Sequence, residues 1–241
     1  MFQPQGSAPH LHWLSQRLQA RTLLRAAGAR LPAWLPADWQ GFAGERCWLD
    51  LATDDSGRLL ERAEHCRQHD IALLEVCGQW LPQGEQFGFM LLCGGELPAT
   101  SEARSWLDCA APLAGGWLHC GPLGSARYTL HVINAMRHTW QLALQALPAT
   151  GQPSCINWEQ LMQQQSELAD KLYLLSASYL QRQGIDAAAY SASEARSNFA
   201  LPVAAQSHFA ANLAILIVLA MQQRETLHSM LQQVFSTLHN T

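Results

Sequence analysis

IALLEVC (71–77) and FGFMLLC (87–93) carry apolar residues almost without interruption. A strand with one wet face alternates apolar and polar residues, because successive side chains point to opposite faces. Runs this short and this continuous read instead as strands covered on both faces, as in sheets that hold parallel pairs and have helices packed on them. CWLDLAT (47–53) and GWLHC (116–120) read as two further short strands. DDSGRLLERAEHCRQHD (54–70) reads as a helix with a polar face. Thr100 or Ser101 can cap another helix running to about Leu113, with Glu102 favourably placed in its first turn. Residues 47–120 therefore alternate strand and helix, which predicts an α/β layer with an at least partly parallel sheet.

The flanks differ. Residues 1–9 read as a loose tail, and 10–30 as a helix with Leu14, Leu18, Leu23 and Leu24 spaced along one side and arginines between them. LPAWLPADWQGFAG (31–44), with its prolines and glycines, reads as a connection. After residue 124 the strand signal stops. A helix is predicted from Ser125 to about Leu147, and ATGQPSC (149–155) breaks it. Asn157 can cap the next helix, with Gln160 placed as in a capping box, and Gly184 is its natural stop. No glycine follows Gly184, so 185–241 reads as helices punctuated by Pro202. The expected fold class is α/β followed by all-α, with domains at 1–124 and 125–241.

A chain of 241 residues can bury a sizeable core, and 49% hydrophobic against 14% charged residues excludes a disordered protein. A net charge of −4 offers no electrostatic case for nucleic acid. Lys171 is the sole lysine, so chemistry that needs one has a single candidate. The seven cysteines form no CxxC pair, and residues 1–20 lack the apolar core of a secretory signal. Reduced thiols in a cytoplasmic protein are the expectation. FAANLAILIVLAM (209–221) is too short to span a bilayer and reads as a buried helix.

FMLLCGGE (89–96), a helix, then WLHCGPLGSARY (117–128) and Asn134 follow one another in an order that resembles the 6-phosphogluconate dehydrogenase and β-hydroxyacid dehydrogenase superfamily. CWLDLATDDSGRLLERAEHC (47–66) resembles the preceding strand and helix, and IALLEVCGQW (71–80) the strand after that. The similarity covers roughly residues 45–145. It implies a Rossmann-type first domain and a helical second domain that dimerises.

The departures carry as much information as the match. No GxGxxG occurs, and only about 45 residues precede the first matching strand, so the front of a nucleotide-binding fold is missing. The family's Ser-Gly-Gly turn falls near Gly78–Gln79–Trp80, and its catalytic lysine falls at Leu130, which can neither move a proton nor bind a hydroxyl. The histidine of the sugar-acid branch falls at Ile133 and its acid–base glutamate at Arg137, while the helix asparagine is kept as Asn134. No cofactor is expected on this reading.

Arg127, His131, Asn134 and His138 lie at helical spacing on one face. With the turn residues Gly121, Gly124 and Ser125 they are the candidate ligand-binding set. Were the chain a divergent NAD(P)-dependent oxidoreductase, of imine-reductase-like or hydroxyacid-dehydrogenase-like type and using NADP, then Tyr128, His131, Asn134 and His138 would be its proton donors and positioners. A small-ligand sensor is a further alternative. Cys77, Cys93 and Cys120 end strands and, with His119, would form a metal site only if they shared one level of the sheet. His65 and His69 are spaced for chelation but lack the metalloprotease glutamate, and no metal is expected. The shortened front leaves a strand edge and an apolar face to be covered, by the N-terminal helix, by Trp34 and Trp39, by a second copy or by another protein. A homodimer through the C-terminal helices is expected.

Overall fold

The computed structural model describes residues 1–24, 31–97, 101–145, 158–202, 206 and 208–239. The caps assigned to Thr100 and Asn157 fall outside these. The chain forms two compact units, Met1–Leu130 and His131–Thr241. Their boundary lies inside the long helix.

The first unit is built on a six-stranded mixed sheet whose strands follow chain order: β1 (Gln3–Gln5), β2 (Gly41–Ala43), β3 (Cys47–Asp50), β4 (Ala72–Gly78), β5 (Leu91–Gly94) and β6 (Trp117–Gly121). The pairs β3–β4 and β5–β6 are parallel, and the remaining three are antiparallel. Each parallel pair is joined by a crossover helix, α2 (Ser56–Gln68) for the first and α4 (Ser101–Ala110) for the second. Crossovers of this kind are right-handed. Because β4 and β5 run in opposite directions, the same hand places α2 and α4 on opposite faces. The two cores agree. Leu59 and Cys66 of α2 pack with Trp48 and Leu73, whereas Ala103, Trp106 and Leu107 of α4 pack with Leu49, Leu74, Val76 and Cys93. Both faces are covered, as the continuous apolar runs require.

Residues 1–9 are not a loose tail. Phe2 is buried among Leu14, Leu18 and Phe42, and β1 pairs antiparallel with β2. The stretch 31–44 likewise ends in a strand, since β2 pairs with β3 in the register Phe42↔Leu49. The strand edge and face expected to lie open are thus covered by the chain itself. β2 takes the β3 edge, and Leu11, Leu14 and Leu18 of α1 (Pro9–Gln19) take the face. Pro4 lies on β1, where a residue with no N–H to donate suits an edge strand. Trp34 and Trp39 pack edge-on and tilted against Trp48, with ring centroids 6.5 and 5.5 Å away, on the α2 side. A short helix α3 (Gly84–Phe87) joins β4 to β5.

Within α1, His10 is buried and stacked on Trp80 at 4.9 Å. Burial lowers its pKa, against a hydrogen bond to the Leu51 carbonyl that raises it. A folded-state pKa below the unfolded one means the stability it supports is complete above about pH 6.5 and is lost as pH falls through the folded value. Between pH 8 and 5 the urea midpoint should fall more steeply for the parent than for His10→Phe. Parallel curves would show that His10 does not contribute.

The second unit holds most of α5 (Ser125–Gln145), then α6 (Trp158–Arg182), a 3-10 turn at Ala187–Ala189, α7 (Ala192–Ala200) and α8 (Phe209–His239). Gly184 ends α6 at φ +67°, with Ile185 N–H donating back to Leu180 across the turn. Ser191 and Glu194 form a reciprocal capping box on α7. Ala210, Ala211, Ala214, Ile215 and Val218 of α8 are buried. Among the described residues no helix is long and apolar enough to cross a membrane.

Candidate functional site

The sheet places two carboxylates side by side on the α2 face. Alternation along β3 sends Cys47 and Leu49 to the α1 and α4 side and Trp48 to the other, so Asp50 follows Trp48. By the same rule Glu75 follows Leu73 on β4, and the parallel register pairs Asp50 directly with Glu75. Both are fully buried.

Two arginines meet them. From α2, Arg62 grips Asp50 through Nε at 2.9 Å and Nη2 at 3.0 Å, and reaches Asp54 at 2.7 Å. From the first turn of α5, Arg127 reaches Glu75 through Nε at 2.8 Å and Asp50 through Nη2 at 3.1 Å. Its Nη1 lies 3.2 Å from the Asp54 carboxylate, and the guanidinium also donates to the carbonyls of Ala52, Asp54 and Asp55. Asp50 also accepts from Trp48 Nε1, and Glu75 from the backbone N–H groups of Gly124, Ala126 and Arg127. A protonated carboxyl would need an acceptor for its hydrogen, so this geometry suits carboxylates.

Burial pushes the carboxyls of Asp50 and Glu75 above their ordinary values, with the arginines pulling the other way. Hydrogen bonding from Arg62 holds the more open Asp54 below its ordinary value. For Arg62 itself, burial opposes the charged form, but Asp54 and Asp50 overcome it and hold the guanidinium above its usual range. Three carboxylates against two guanidiniums leave one surplus negative charge. It is met where the helix supplies partial positive charge, at the α5 N-terminus, on which the Glu75 carboxylate sits.

The GPLGS turn makes that seat possible. Gly124 adopts φ +87°, a left-handed conformation that favours glycine, and its N–H donates to Glu75 at 2.9 Å. Gly94, from the double glycine of β5, faces the same place. A Cβ there would lie 2.7 Å from Ser125 Oγ and 2.8 Å from Glu75 Oε2. The glycines let the helix start, the strand end and the carboxylate come together.

Of the residues expected to line a ligand site, only Arg127 joins this cluster through its side chain, while Gly124 contributes its N–H. Gly121 and Ser125 are buried beside it, and the Tyr128 side chain is buried. His131, Asn134 and His138 are exposed and belong to the second unit. Leu130 and Ile133 are half-buried, and Arg137 is exposed.

The strand-end thiols do not share a face. Cys93 stands opposite Val76 and packs in the α1 and α4 core, whereas Cys77 alternates to the Glu75 side. Burial pushes the thiol of Cys120 up to about 12, and those of Cys47 and Cys66 to the same value, so all three are protonated at neutral pH. His65 Nε2 lies 2.7 Å from the Trp34 carbonyl. Among the described residues no group of three or more His, Cys, Asp and Glu is placed to hold a metal ion.

Asp50, Glu75, Asp54 and Arg62 were not singled out by the sequence. Asp50 and Glu75 carry one signal, a charged residue inside an otherwise apolar strand, as in LDL (49–51) and LLEV (73–76), whereas Asp54 and Arg62 carry none. The chain matches no protein-family model and no curated protein.

Proposed function

We propose that this chain is a non-catalytic relative of the 6-phosphogluconate dehydrogenase and β-hydroxyacid dehydrogenase superfamily, acting as a binding or scaffolding subunit, with a shortened Rossmann-type sheet. The observation that carries the reading is the state of the α5 N-terminus. Its amides are taken by Glu75, and the nearest cation, Arg127, is held by three carboxylates of the same chain. A helix N-terminus can attract a ligand anion only while its N–H groups are free. The residues present also do not fit a dinucleotide. No GxGxxG turn exists, and the described strands follow chain order, without the reversal that opens a cofactor crevice in doubly wound sheets. With leucine at position 130, the side chain at the lysine's own position cannot transfer a proton.

Titrating the protein with NADPH, followed by cofactor fluorescence and calorimetry, should show no saturable binding. Tight, stoichiometric binding would overturn the proposal and favour the divergent oxidoreductase.

The scaffold is proposed to act as a homodimer through its helical unit. Met136 and Trp140 on α5 are 56% and 69% exposed, and Leu213, Leu216 and Ile217 of α8 are only half-buried. These are the apolar side chains that the dimer would cover. Light scattering at micromolar concentration should give twice the chain mass of 26.7 kDa. A monomer there would refute the dimer and leave the NADPH result unaffected.

A further inference from the structure

We draw no further inference here: the strongest candidate, the groove of about 930 Å³ between residues 36–40 and the first turns of α2, is an acidic cluster at a helix N-terminus that Asp55 already caps, and its buried arginine, Arg62, is already engaged by Asp50 and Asp54.

Discussion

Replacing Arg127 with methionine should destabilise the first unit by about 3–5 kcal/mol, the range for breaking a buried ion pair by removing one partner. Methionine keeps most of the aliphatic stem, so the loss reports charge and hydrogen bonding. Asp50 and Glu75 would each keep their place at 0% side-chain exposure while losing a guanidinium contact. Glu75 would still have the α5 amides, and Asp50 would still have Arg62 and Trp48. The surplus negative charge would rise from one to two. Arg127→Lys should recover only part of the loss, because an ammonium cannot match a fork that reaches Glu75, Asp50 and Asp54 at once. Making the methionine change in an Asp50→Asn background should cost less than in the parent, since one of the stranded charges is gone. The measurement is urea unfolding followed by circular dichroism. A loss below about 1 kcal/mol for Arg127→Met, where a surface ion pair would fall, would mean that the cluster does not hold α5 to the sheet.

The parts of this fold that were legible in the sequence share one property: their signal is local. The runs at 71–77 and 87–93, the helix at 54–70 and the stop at Gly184 each follow from residues within one element. The missed strands β1 and β2 are three residues each, too short to show a period of two, and β1 contains a proline. They exist because β3 offers an edge, and that is a tertiary reason. The candidate site failed to show for the same cause. Asp50 and Glu75 are 25 residues apart and meet only through the parallel register of β3 and β4. Arg62 looks like an ordinary helix-surface arginine, and Arg127 like a residue aimed at a ligand, until that register is known. The stripe from Arg127 to His138 was correctly helical, but helical spacing cannot tell that its first member turns into the sheet while the rest face solvent.

Arg17 makes the same point without any carboxylate, and its removal is the second large effect expected. On sequence it is one of several arginines spaced between leucines in the first helix. In the fold it is 6% exposed, and its guanidinium donates to the carbonyls of Cys109 at 2.6 Å, Ala111 at 2.7 Å and Gln86 at 2.9 Å. The last carbonyls of a helix have no intrahelical donor and carry partial negative charge. Arg17 supplies two of those at the end of α4, and Phe89 N–H supplies Ala110 between them at 2.9 Å. One side chain thus ties α1 to both α3 and α4. Arg17→Met should leave the buried Ala111 carbonyl and the part-buried Cys109 and Gln86 carbonyls without this donor and reduce stability by about 3 kcal/mol, taking a hydrogen bond to a charged group at 1.5–3 kcal/mol and allowing for partial relaxation. Because the loss falls on carbonyls and not on charges, it should change little with salt. Amide exchange at Gly88, Phe89 and the last turn of α4 should quicken more than in β4. A variant whose stability and exchange match the parent would show that water replaces the guanidinium at no cost, and Arg17 would then be a surface residue after all.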